Sequence, residues 1–294
     1  MNKENRAKIN ILRQYINDAD ALLIVAGAGM GIDSGLPDYR GPTGLWNTWH
    51  PAKDYNMTYE ALSRHEQFLE NPELAWGFQA YLTKLYYDLA PHEGYRKLFD
   101  VSTNDFGGNY FVITSNVDSQ FLKTGFREDR LYEVHGTKRY WQCMDPVCNK
   151  RNHPWEFNIN ELPATDDTTL LASKPFPKCK HCGDMARPNV SFFEDYNFNE
   201  MITKNQSKRF LDWIEHNKNS KLLIMEMGCG LSVHSIRFKL KNNQYTMLSN
   251  EWKLPKSLMT QHQTNMVRIN PECYEIDTYC LNIPLGAKQA LKML

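Results

Sequence analysis

The chain has 294 residues, 41% hydrophobic and 23% charged, the make-up of an ordinary globular protein with ample length for a real core. Lys plus Arg and Asp plus Glu number 34 each, a balance with no electrostatic footprint for nucleic acid or a membrane surface and no bearing on oligomeric state. No apolar run reaches the roughly 18 residues of a membrane span, and the polar amino terminus lacks a secretory core, so the expected address is cytoplasmic.

In the first 20 residues, Ile9, Ile11, Leu12, Tyr15 and Ile16 recur at helical spacing and predict an amphipathic helix. An apolar strand, Leu22–Val25, then runs into alternate glycines, Gly27, Gly29 and Gly31. Glycine lets main-chain amides approach a phosphate, and such a turn above a parallel strand suits a nucleotide diphosphate. Ile32 stands where the dinucleotide fingerprint needs its last glycine, which argues against a hydride-transferring dehydrogenase. The following Pro37–Gly41 is turn-prone, as in a loop folding over a ligand. A helical stretch is expected over about 57–90, with Asn71-Pro72-Glu73 as a start signal and its aromatic residues forming a core face. Further short strands follow at Tyr110–Thr114, Leu131–Val134, Lys221–Met227 and Met266–Ile269, with helices at 200–217 and 286–294. Strands alternating with helices predict an α/β fold with a Rossmann-like, doubly wound parallel sheet.

Residues 137–190 break that alternation and hold two cysteine pairs, Cys143/Cys148 and Cys179/Cys182. Two such knuckles can bring four thiolates to a structural Zn2+ in a zinc-ribbon insertion. Buried thiols or disulfides are the bland alternatives, and His153 and His181 are alternative ligands. The expected division is one catalytic domain over 1–294. Its Rossmann-like part covers about 5–50, 91–136 and 191–294, with a helical small insertion at about 51–90 and a zinc-binding one at about 137–190.

Two strand ends carry polar residues suited to chemistry, Ser115-Asn116-Val117-Asp118 and His135-Gly136. Open α/β sheets hold ligands at such ends, and a histidine there can take a hydroxyl proton near neutral pH. Together with Gly27-Ala28-Gly29 and Ser34–Gly41, these segments resemble the signature of the sirtuin family. Thr114–Asp118 is similar to its T-Q-N-I-D strand end, and Arg187–Phe193 to its R-P-x-V-V-x-F segment. Gly228–Val233 stands where sirtuins carry G-T-S-L-x-V, and Ile269-Asn270 where they carry an I-N pair.

The resemblance implies an NAD-dependent protein lysine deacylase that releases nicotinamide and O-acyl-ADP-ribose. An ADP-ribosyltransferase or NAD hydrolase, or an NAD-sensing module, are the alternatives on the same scaffold. It further implies His135 and Asn116 as catalytic, the Gly27, Ala28 and Gly29 amides on the pyrophosphate, and Asp38, Tyr39 and Arg40 in the covering loop. Ser115, Asp118, Gly228, Cys229, Gly230 and Asn270 complete the cofactor site. An acylated peptide would add as a strand between Val190, Ser191, Phe192 and Phe193 on one side and Ser232 and Val233 on the other. Several positions depart from the family: Ser115 for a glutamine, Gly31 for a serine, Glu194 for a glycine beside the substrate, and Cys229-Gly230 in the phosphate turn. Trp76–Leu82 lacks the Tyr/Arg pair of sirtuins acting on succinyl-lysine, so acidic acyl groups are not expected.

Overall fold

A computed structural model describes residues 2–37, 49, 54–230, 236, 238–241, 244–247, 264–272 and 280–294. Helix α1 (Lys3–Asp18) starts at Asn2, whose side chain accepts from the Asn5 amide, and it buries Ile9, Leu12 and Ile16 as its spacing predicts. Strand β1 (Ala21–Ala26) is buried throughout. It is followed not by a helix but by two single 3-10 turns, Ala28–Met30 and Ile32–Ser34.

The helical stretch is broken into α2 (Tyr59–Leu62), α3 (Gln67–Glu70) and α4 (Pro72–Asp88), the last starting at the Asn71-Pro72 signal. Helix α5 (Glu93–Asn104), which the sequence reading did not anticipate, precedes β2 (Tyr110–Thr114), the short α6 (Gln120–Thr124) and β3 (Leu131–Glu133). Strand β4 (Gly136–Cys143), α7 (Pro146–Arg151), β5 (Trp155–Glu156) and β6 (Ala186–Val190) build the cysteine-bearing region. The chain continues through α8 (Met201–His216), β7 (Leu222–Met227), the hairpin β8 (Phe238–Lys241) and β9 (Gln244–Met247), β10 (Thr264–Ile269), β11 (Leu281–Ile283) and α9 (Ala287–Leu291).

Six parallel strands form one sheet in the order β11-β10-β7-β1-β2-β3. The chain therefore winds outward from β1 to β3, then returns to the other side of β1 and winds out to β11. That reversal is the doubly wound arrangement, and its topological switch point falls between the paired strands β1 and β7, where open sheets of this kind hold ligands. Alternate residues of β1 face opposite layers: Leu22, Ile24 and Ala26 pack with α1, α5 and α9, whereas Leu23 and Val25 pack with Phe210, Trp213 and Ile214 of α8. Each such side chain removed from water contributes about 1.5–3 kcal/mol. A second, three-stranded antiparallel sheet, β5-β4-β6, leaves the first through Gly136. No described helix is long and apolar enough to cross a membrane.

Candidate active site at the strand ends

The parallel register lines up the carboxyl ends of the central strands. Glu133 pairs with Thr114, Thr114 with Ala26, Ala26 with Met227, Met227 with Ile269, and Ile269 with Ile283. The residues just beyond this row are therefore neighbours across the sheet: His135, Asn116, Gly27, Gly228 and Asn270 each lie one or two positions past it. Five segments distant in sequence meet on one edge because parallel strands in register must end together.

The two glycine turns pack directly on each other. At Gly228 (φ +60°) a Cβ would stand 2.2 Å from the Met30 nitrogen, and at Gly27 one would stand 2.6 Å from the Gly228 carbonyl oxygen. The Gly27 N–H donates to the Met227 carbonyl (2.9 Å) and the Gly29 N–H to the Gly228 carbonyl (3.0 Å). These two amides thus tie the glycine turns to each other and to the end of β7. The Ala28 N–H, between them, has no acceptor among the described residues and is the one left for an anion. A Cβ at Gly31 would meet Leu36 Cδ1 at 2.7 Å and Asp118 Oδ2 at 3.4 Å, so Leu36 fills the space of the family's serine. At Gly230 no atom of the described residues lies within 4 Å of an added Cβ.

Asn116 is anchored twice: its amide N–H donates to Thr114 Oγ1 (3.0 Å), and its Nδ2 donates to the Gly27 carbonyl (3.0 Å). Its side-chain oxygen keeps its capacity as an acceptor. The Ser115 N–H donates to the Ala26 carbonyl at 3.2 Å, continuing the sheet by one step. Asp118 is buried, accepts from the Gln120 amide at 2.9 Å, and is pushed up to about 6 by burial, against the pull of that amide and of Lys123. Burial lowers the His135 pKa below its usual value, so the imidazole is neutral at pH 7 and ready to accept a proton. Two buried groups beside it went unnoticed in the sequence. Glu133, two residues before His135, is pushed up to about 7 by burial, and Lys138, three after, is pushed down to about 7.

The remaining cofactor positions divide. Asn270 donates from Nδ2 to the Cys229 carbonyl (3.2 Å), joining the ends of β7 and β10. The Cys229 thiol instead points under the sheet end, 3.6 Å from the Met227 carbonyl and 4.0 Å from that of Val25. Its side chain belongs to the buried apolar cluster on the α8 side of the sheet. Asp38, Tyr39, Arg40, Ser232 and Val233 lie outside the described residues.

Along the expected peptide edge, much of the main chain is already engaged. Ser191 N–H donates to the His135 carbonyl, Phe193 N–H to the Ser63 carbonyl and Phe192 N–H to Asp195, while the Val190 carbonyl accepts from Arg187. Arg187 and Asp195 form a fully buried ion pair at 2.7 Å that holds this turn. Phe193 also forms an isolated parallel bridge with Arg64, so this edge is partly paired within the chain. Glu194 adopts φ +55°, the left-handed backbone that glycine favours, and its carboxylate reaches Arg64 at 3.2 Å on the exposed surface.

The four cysteine sulfurs lie within 4.8 Å of one another, with Cys143–Cys182 at 3.5 Å and Cys148–Cys179 at 3.8 Å. None is in a disulfide. A tetrahedron with metal–sulfur bonds of about 2.3 Å has edges of about 3.8 Å, so the donor set fits Zn2+. The Asn152 side chain donates to Cys148 Sγ and the His181 amide to Cys179 Sγ, as outer partners of a thiolate site do. His153 and His181 are not needed in the shell.

The family model of the Sir2 family matches residues 27–234, which takes in both glycine turns, the Asn116 loop, His135 and all four cysteines. The chain belongs to the Sir2 family. Among curated relatives, the NAD-dependent protein deacylase of Aquifex aeolicus is 29% identical over 172 residues, 58% of this chain and 61% of that protein. The enzyme of the same name from Pyrococcus abyssi is 32% identical over 185 residues, 63% of this chain and 65% of that one. The matched stretch thus spans roughly two thirds or less of these two Sir2 relatives. A crystal structure of a Sir2 homologue–NAD complex superposes with a TM-score of 0.64 at 20% identity, covering 97% of this chain and 91% of that one, and shows a shared fold.

Proposed function

We propose that this Sir2-family chain is an NAD-dependent protein lysine deacylase, which takes an acylated protein or peptide and releases nicotinamide, free lysine and O-acyl-ADP-ribose. The observation that carries the reading is the single register row beyond which Asn116, His135, both glycine turns and Asn270 converge. The deacylase names of its relatives support the same choice.

Bound NAD supplies a nicotinamide–ribose bond that can be broken at the anomeric carbon. The Ala28 amide would receive the diphosphate, and Asn270 would orient the adenosine end. Asp118, next to Gly31, would accept a hydrogen bond from the nicotinamide carboxamide. Asn116, fixed by its bond to the Gly27 carbonyl, turns its free oxygen to a ribose hydroxyl. His135, whose pKa burial holds below the usual histidine value, would accept the proton of that ribose hydroxyl. Four free thiols holding Zn2+ suit a reducing compartment, and we place the chain in the cytoplasm on that ground.

A second reading, ADP-ribosyl transfer or NAD hydrolysis, draws support from the engaged main chain at Val190–Phe193, because it requires no peptide strand. One experiment separates the two: incubation with NAD and an acetyl-lysine peptide, followed by quantitation of nicotinamide, O-acetyl-ADP-ribose and intact protein mass. Peptide-dependent O-acetyl-ADP-ribose is the expected result, and His135→Ala should lower it by about 100-fold or more with NAD binding retained. Peptide-independent ADP-ribose, or protein gaining one ADP-ribosyl mass, selects the second reading. NAD left unconsumed refutes both.

A further inference from the structure

His92 belongs to no motif of the glycine turns, yet it is hydrogen-bonded to both 3-10 turns that follow β1. It is the N-cap of α5 and is almost fully buried. Its backbone N–H donates to Ser34 Oγ (3.0 Å), its Nε2 meets the Met30 carbonyl (2.9 Å), and its Nδ1 meets the Gly94 N–H (3.0 Å). Met30 and Ser34 close the two 3-10 turns that follow β1, so one side chain and its amide grip both.

The polarity of these contacts leaves a single protonation state. A backbone N–H only donates, so Nδ1 must carry a lone pair; a carbonyl only accepts, so Nε2 must carry the hydrogen. The neutral Nε2–H tautomer alone satisfies both. Protonation would aim an N–H at the Gly94 N–H and open the cap. The site is also shaped for the ring: a Cβ on Gly94 would stand 2.6 Å from His92 Cε1 and 2.8 Å from Nδ1. Tyr95 packs on the imidazole with centroids 4.8 Å apart. The charged groups around it are Asp33 on the turn, Glu93 on α5 and Lys288 on α9. Burial, the largest influence, holds its pKa below the usual histidine value and Lys288 acts in the same sense, whereas the Met30 carbonyl, Asp33 and Glu93 oppose them.

We propose that His92 is a positioning residue for the cofactor loop: by clamping the Met30 carbonyl and Ser34 to the start of α5, it holds the Ala28 amide at the crevice in the orientation that receives the NAD diphosphate. The inference rests on the NAD reading above. His92 touches no substrate and acts only through the loop.

The test uses the full chain with its metal and compares wild type with His92→Asn, since asparagine keeps a good N-cap but does not reach the Met30 carbonyl. ADP-ribose and NAD binding are measured by calorimetry, steady-state kinetics give KM for NAD and kcat, and amide hydrogen exchange follows residues 28–34. The expected result is a rise in Kd and in KM for NAD of about three- to tenfold, the range for one neutral hydrogen bond, with kcat preserved. Exchange over 28–34 should accelerate, and nitrogen NMR of the wild type should show His92 as the Nε2–H tautomer. Wild-type affinity in His92→Asn, or a Nδ1–H tautomer, overturns the proposal. Unaltered exchange in the turns overturns it as well. Should wild type itself fail to bind either ligand, the NAD reading falls instead, and the exchange data still decide whether His92 holds the loop.

Discussion

Replacing Lys138 with methionine should change how stability responds to pH more than it changes stability at any one pH. The Lys138 amine is buried against α4, within hydrogen-bond distance of Gln79 Oε1, the Gln79 carbonyl (3.4 Å) and Thr83 Oγ1 (3.3 Å), with the Tyr86 ring 5.9 Å away. It has no ion pair with a carboxylate among the described residues, and burial alone pushes its pKa from 10.5 down to about 7. Because the folded pKa is lowered, the unfolded chain holds a proton that the folded chain has released throughout the window from about 7 to 10.5. Stability therefore rises with pH across that window, by about 1.4 kcal/mol per unit for this group. Between about pH 7.5 and 9.5 the gain is on the order of 2–3 kcal/mol. Methionine keeps the stem's volume but removes the titration, and the bonds lost to Gln79 and Thr83 cost a pH-independent amount of about 1–3 kcal/mol. Urea unfolding of both proteins across that range measures the difference. Wild type should gain on the variant as pH rises, and parallel stability curves would show that the amine is not held neutral by its surroundings.

Gly228→Ala should destabilise the chain by about 2–5 kcal/mol, because it adds a Cβ 2.2 Å from the Met30 nitrogen at a left-handed backbone position. ADP-ribose binding should be lost with it, and a variant that melts and binds like wild type would contradict the packing of the two turns. Chelation, with metal loss verified by elemental analysis, should unfold the region around Cys143, Cys148, Cys179 and Cys182. The fluorescence of Trp141 and Trp155, on the adjoining strands β4 and β5, reports that change, and an unaltered melting curve would rule out a structural metal.

Much of this architecture was legible before any coordinates. The runs ALLIVA, YFVIT and LLIMEM are buried along their whole length, and continuous apolar runs of that size read as parallel strands covered on both faces. The cysteine knuckles were equally clear, because metal geometry restricts spacing. Less legible were β11, too short at three residues to show a period, and α5, whose start at Pro91-His92 carries no common cap. Glu226 sits inside an apolar strand with nothing in its own segment to explain it; its partner is Arg268, 2.6 Å away on β10. The helical stretch over 57–90 hid its breaks, since α2, α3 and α4 share one apolar period while packing against different neighbours.

Residue types and their local spacing determined the strands, the glycine turns, the four thiols and the family to which the chain belongs. Where the donors and acceptors of those segments point was decided only in three dimensions. The amides of Gly27 and Gly29 turn inward to the Met227 and Gly228 carbonyls, the Cys229 thiol lies beneath β1, and His92 reaches back across 62 positions to Met30. A hydrogen bond is assigned by its partner, and these partners come from strands and turns that only the parallel register brings together.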